Sequence, residues 1–104
     1  MKHVTYGDKS LLVGDEAADL LMSYATVLGR NNSTDSVTLR AMGVDGNEVD
    51  ATFLLNPSTT MVIESTNGSG SEPDNELVVE YMRRGINRLT QSYEMRTDHD
   101  PLEN

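Results

Sequence analysis

Two series of odd-numbered apolar residues flank Asp45-Gly46 in the stretch SVTLRAMGVDGNEVDATFLLN, which runs from Ser36 to Asn56. Val37, Leu39 and Ala41 come before it. Val49, Ala51, Phe53 and Leu55 come after. A period of two puts each series on one face of a β-strand. Directly opposed residues of an antiparallel pair point to the same side of the sheet. Two odd series can therefore face each other only across a loop of odd length. A three-residue loop, Asp45-Gly46-Asn47, meets that condition, with Asn47 able to take a left-handed conformation. It sets Ala41 opposite Ala51, Leu39 opposite Phe53 and Val37 opposite Leu55. A two-residue Asp-Gly turn would set Ala41 opposite Asp50 and spoil the pattern.

Other elements follow around this hairpin. In HVTYGDKSLLVG, Val4 and Tyr6 alternate with polar residues and Gly7-Asp8 marks a turn. A four-residue loop would pair Val4 with Val13 and Tyr6 with Leu11. DEAADLLMSYATVLGR is a helix: Ala17, Leu20, Leu21, Tyr24, Ala25, Val27 and Leu28 share one face. Asp15 is its expected N-cap and Gly29 its expected stop. TTMVIES supplies a further strand with Met61 and Ile63 inward. TNGSGSEPDN reads as a polar loop, and Ser71 to Asp74 resembles a capping box with Pro73 at an early helical position. A second helix runs from there to about Met95, with an apolar stripe of Val78, Met82, Gly85, Ile86, Leu89, Ser92 and Tyr93 and with Tyr81 at its border. The fold class is α+β: a five-stranded, mostly antiparallel sheet in ββ-α-βββ-α order, with both helices on one face. Residues 1–96 form a single domain, and 97–104 form an acidic disordered tail.

Charge narrows the function. The chain has 17 Asp and Glu against 8 Lys and Arg, a formal charge of −9. Such a surface repels phosphate backbones and disfavours nucleic acid as a partner. No apolar run approaches the roughly 20 residues of a membrane span, and the N-terminal stretch has no apolar signal-peptide core. With no cysteine, thiol-based metal and redox chemistry is absent. The expected location is cytoplasmic. Half of the cations, Arg83, Arg84, Arg88 and Arg96, gather late in the chain. On the second helix Arg83, Arg84 and Arg88 spread over the solvent side, where Glu80 reaches Arg83 at i+3 and Arg84 at i+4. Arg84 and Arg88 form an adjacent pair able to grip a carboxylate or phosphate.

The patterns that could carry chemistry fall short of it. NGSGSEP precedes a helix N-terminus, but Glu72, Asp74 and Glu76 would repel a phosphate there. Asp98-His99-Asp100 offers metal-binding donors without a scaffold. DGNEVD lacks the glycine and the oxygen ligand that a calcium loop needs at its sixth and fifth places. His3 and His99 are the two imidazoles, one near each end, and no nucleophile stands beside a base. Asp15/Glu16 and Glu76/Glu80 are accounted for by helix capping and solvation. No catalytic, cofactor-binding or metal-ligating residue is assigned.

The outward face of the sheet is the remaining candidate. Besides Thr38, Arg40, Asp50 and Thr52 it carries Met42, Val44, Leu54 and Val62. The expected register sets Leu54 opposite Thr38 and Met42 opposite Asp50, and makes Leu54 and Val62 neighbours. Apolar residues among threonines mark a contact surface. The expected function is thus that of a small acidic non-enzymatic protein acting through protein–protein contact, with a homodimer through this face as the first form. Met42, Val44, Leu54, Val62, Arg84 and Arg88 are its interaction residues. Two other readings stand beside it: an acidic inhibitor, immunity protein or antitoxin that covers a basic partner, and a small enzyme or ligand-binding domain with a helix–sheet pocket near Tyr24 and Tyr81.

Overall fold

The structure, a computed structural model, describes residues 1–67 and 70–98. It contains β1 (Lys2–Tyr6), β2 (Lys9–Val13), α1 (Asp15–Arg30), β3 (Asp35–Met42), β4 (Glu48–Leu55), β5 (Met61–Ser65) and α2 (Glu76–Asp98). The strands form one antiparallel sheet in the order β4-β3-β2-β1-β5. The α+β class and the ββ-α-βββ-α order are those the sequence predicts. Most of the expected tail, residues 99–104, lies outside the described residues, as do Gly68, Ser69 and the side chain of Tyr93.

Glycine sets both hairpin registers, and it shifts both from expectation. Gly7 has φ of 65° and begins a two-residue loop, so Val4 opposes Leu11 and Tyr6 opposes Lys9. A positive φ at the first loop residue suits the II′ turn, whose twist matches that of the strands. The four-residue loop is not formed. In the second hairpin the Gly43 N–H donates to the Asn47 carbonyl at 2.9 Å, and Gly46 N–H donates to Gly43 at 3.0 Å. The three loop residues are therefore Val44, Asp45 and Gly46, one position earlier than expected. Gly46 takes the left-handed φ of 84° in place of Asn47, because it bears no Cβ to strain. The shift keeps odd opposite odd but slides the pairs: Val37 faces Phe53, Leu39 faces Ala51, Ala41 faces Val49, and Leu54 faces Ser36.

Helix ends differ from expectation for local reasons. Gly14, not Asp15, occupies the N-cap of α1 and has no side chain to offer. The carboxylate comes from Glu72, whose Oε2 accepts the Asp15 N–H at 2.9 Å. A Cβ at position 14 would stand 3.3 Å from Glu72 Cδ, so the glycine makes room for this borrowed cap. At the other end Asn32, with φ of 52°, is the left-handed residue in place of Gly29. The Ser33 N–H reaches the Leu28 carbonyl and the Asn32 N–H reaches that of Gly29, which is the Schellman arrangement. The α2 capping box does not form, because the helix starts at Glu76 and Asp74 Oδ1 accepts the Glu76 N–H.

The core lies between the helices and the inward sheet face. α1 contributes Ala17, Ala18, Leu21, Tyr24, Val27 and Leu28; the strands contribute Val4, Leu11, Val13, Val37, Leu39, Ala41, Phe53 and Leu55. From α2 come Val79 and Met82, with Val78, Ile86 and Leu89 partly covered. Val79 is buried although the expected stripe omits it, and Ser92 is exposed although the stripe includes it.

The sheet is strongly curled. β1 and β4 are three places apart in strand order, about 14 Å in a flat sheet at the usual strand spacing. Yet the Tyr6 hydroxyl donates to the Leu54 carbonyl at 2.5 Å, and the Tyr6 and Phe53 rings meet edge-on with centroids 6.0 Å apart. No tyrosine side chain spans the flat distance. β3 also meets β2 over one residue pair, Leu12 opposite Met42. Residues 35–40 therefore run past the end of β2, which lets the β3–β4 hairpin swing over the inward face.

Candidate functional site

Curling leaves the far end of the β3–β4 hairpin uncovered. Phe53 and Leu55 are buried in the core, but Val49 is 38% exposed and Val44, at the loop, is 92% exposed. Between β4 and the β1–β2 hairpin opens a cleft of about 480 Å³, bounded by Tyr6, Lys9 and Leu11 on one side and by Val44, Val49 and Phe53 on the other. Its size is within the usual range for binding sites. At its rim, Asp45 is held below the usual carboxylate range, first by the N–H of Asn47 and then by the Asn47 side chain. Val49 is an odd-numbered, apparently core residue in the sequence. It lies outside the core cluster, near the loop end of the hairpin and on the cleft, a position along the strand that periodicity does not reveal.

On the outward face, Met42 and Val44 come together with Leu12 and His3 along a shallow groove of about 330 Å³. Leu54 and Val62 do not join them. Leu54 lies on β4 opposite Ser36, and Val62 lies on β5 opposite Thr5, at the two ends of the strand order. The middle of the face is polar. Thr38 and Thr52 bond to each other at 2.8 Å, and so do Thr5 and Ser10. Arg40 reaches both Glu48 and Asp50. The apolar character of the face is thus concentrated at the hairpin tip.

α2 carries Arg83, Arg84 and Arg88 where expected, outward. Arg83 bonds Glu80 at 3.1 Å and, across to α1, Glu16 at 2.6 Å. Arg84 and Arg88 are exposed and stand within ion-pair distance of no carboxylate among the described residues. They sit on α2, a different element from Met42 and Val44.

A second cluster joins three elements. Asp35, at the start of β3, accepts the Tyr24 hydroxyl at 2.5 Å and the Tyr81 hydroxyl at 2.6 Å, both on Oδ2. The two rings pack edge to face, centroids 6.1 Å apart. Burial works against the charge on Asp35. The two hydroxyls, the Ser36 N–H and the charge of Arg88 outweigh it, so the carboxyl titrates below its usual range. Burial, and then the bond to Asp35, push the Tyr24 phenol well above the usual tyrosine range. Every polar atom here has a partner, so the tyrosines fasten the helices to β3. In the sequence Tyr24 belongs to the apolar face of the first helix and Tyr81 borders that of the second, with a pocket near them only an alternative, and Asp35 ends a polar loop; nothing local signals its long-range role.

The groove between the N-terminal ends of the helices, about 630 Å³, is lined by Glu16, Glu72, Asp74, Glu76 and Glu80 against the single cation Arg83. Among the described residues no group of acids and histidines is placed to hold a metal ion, and no helix is long and apolar enough to cross a membrane. No family model, curated protein or solved structure matches the chain.

Proposed function

We propose that the protein is a non-enzymatic contact module that engages another protein through the end of its β3–β4 hairpin. One observation carries this reading: Val44 and Val49 stand exposed beside an apolar-floored cleft, with Met42 and Leu12 adjoining on the other side of the strand. A valine side chain has little rotamer freedom to lose on docking, and a cluster of exposed valines is the kind of patch that partners cover. The polar middle of the face moves the contact away from the centre of the sheet and toward its end.

The test has two arms. Solution mass is measured over a wide concentration range for the wild type and for Val44→Asp; a concentration-dependent mass that the variant loses identifies the partner as a second copy. A photo-crosslinking residue is then placed at Val44, and separately at the exposed Ser23 of α1, in the native host. Adducts at 44 and none at 23 are expected. Equal or absent adducts at both positions, with an unchanging mass, would overturn the reading.

The acid-lined groove between the helix ends favours a second reading, a cover for a basic partner. Leu77, 89% exposed at its rim, would supply an apolar anchor. Binding at that groove should weaken steeply with added salt, because exposed charges are screened over about 10 Å at 0.1 M.

A further inference from the structure

The free edge of β4 has a determinable direction. Arg40 on β3 gives both of its backbone groups to one side chain: its N–H donates to Asn75 Oδ1 at 2.7 Å, and its carbonyl accepts from Asn75 Nδ2 at 2.9 Å. Those groups therefore point away from β4. In an antiparallel ladder opposed residues alternate between pairs that exchange bonds and pairs whose groups diverge. Arg40 opposite Asp50 is a diverging pair, so the Asp50 N–H and carbonyl point out of the sheet. At two-residue spacing the same holds for Glu48, Thr52 and Leu54. Leu54 bears this out independently, since its carbonyl accepts the Tyr6 hydroxyl. Tyr6 thus closes one end of the edge. From Thr52 to Glu48 the edge faces no other strand of the sheet.

This open stretch runs along the cleft. Its inward residues, Val49 and Ala51, line the cleft together with Leu11 and Phe53. Its outward residues, Glu48 and Asp50, are acidic, and they share the single cation Arg40. No proline or bulge blunts it.

We propose that this edge takes up an extended segment of a partner protein in which basic residues alternate with apolar ones, adding it as a further strand beside β4. The proposal rests on the contact-module reading and specifies the partner's chemistry. Main-chain groups of Glu48, Asp50 and Thr52 would pair with the segment, as in strand addition generally. Side chains on one face of adjacent strands meet directly. The segment's outward residues therefore meet Glu48 and Asp50, which selects Lys or Arg. Its inward residues enter the cleft against Val49 and Ala51, which selects apolar side chains. A second copy of this chain fits less well. It also carries −9, and its own β4 would bring Glu48 and Asp50 to the same edge without a new cation. Lys9, on the far wall of the cleft, is offset by the charge of Asp45.

The test uses the full chain, isotope-labelled, and a synthetic peptide of about five residues that alternates Lys or Arg with Val, the length of the open edge. Binding is expected, with slowed amide exchange at Glu48, Asp50 and Thr52 and shifted signals at Val49 and Ala51. An analogue N-methylated on its edge-facing amides loses three main-chain bonds and should bind on the order of a hundredfold more weakly. An analogue with Glu in place of the basic residues should not bind. The proposal is overturned if the basic peptide does not bind, or if the N-methylated analogue binds equally well, which would leave charge attraction alone. It is also overturned if the peptide-free protein is a dimer already protected at Glu48, Asp50 and Thr52. Failure of the peptide with site-dependent crosslinking at position 44 intact would sink this inference and leave the contact-module reading standing.

Discussion

Gly85 of α2 lies against the ring of Tyr24 on α1: a Cβ built on Gly85 would stand 2.7 Å from Tyr24 Cε1 and 3.2 Å from Cζ. Real Cβ atoms do not approach that closely. A glycine inside a helix ordinarily costs about 1 kcal/mol relative to alanine, so this one is kept for the approach it permits. The Tyr24 ring cannot yield, because its hydroxyl is bound to Asp35. Gly85→Ala should therefore destabilise the fold by about 1–3 kcal/mol despite its better helix propensity. Urea unfolding measures this. In a Tyr24→Leu background the same change should cost less, and an equal cost in both backgrounds would show that the ring is not the obstacle.

The Asp35 cluster makes stability depend on pH in two windows. The folded state holds the Asp35 carboxyl below its usual range, so its contribution is present above the unfolded value of about 3.9 and is lost as pH falls through the folded value. Tyr24 is held above its usual range. Its contribution is present below the unfolded value of about 10 and is lost as pH rises beyond it. Asp35→Asn should lower the urea midpoint near neutrality, and the gap from wild type should close as the medium is acidified. Tyr24→Phe should lose about 1–3 kcal/mol at neutral pH, as for a bond to a charged group. Parallel acid titrations of wild type and Asp35→Asn would contradict this account.

Periodicity marks the inward-facing residues correctly, since Val37, Leu39, Ala41, Phe53 and Leu55 are all buried. Parity could not locate the turns, because a shift of two residues in pairing leaves every side chain on its own face. Gly7 and Gly46 decide the registers through their positive φ, and several turns compatible with the same pattern compete for such glycines. Strand order was not legible, because it depends on contacts between distant segments, such as Tyr6 with Leu54. The same is true of the candidate site. Met42 and Val44 are near in sequence and stay together. Leu54 and Val62 were joined only by an assumed adjacency of β4 and β5, which the order β4-β3-β2-β1-β5 removes.

Asn75 should matter more than its place in a polar loop implies. β3 is joined to β2 through the Leu12–Met42 pair alone, and beyond that point Asn75 satisfies the Arg40 N–H and carbonyl as a neighbouring strand would. It also precedes the first residue of α2, so it ties that helix to the sheet. Asn75→Ala leaves both backbone groups to water and should cost about 1–2 kcal/mol. Asn75→Asp keeps an acceptor for the N–H but loses the donor to the carbonyl, and places a negative charge beside that oxygen. It should be no better than alanine. The direct readout is amide exchange at Arg40, which should speed up in both variants while Ala51, paired with Leu39 inside the hairpin, stays unchanged. Unaltered exchange at Arg40 would mean that the sheet holds β3 without the clamp. An equal rise at Arg40 and Ala51 would mean that the whole hairpin loosens, and would place the role of Asn75 in global stability instead of at this junction.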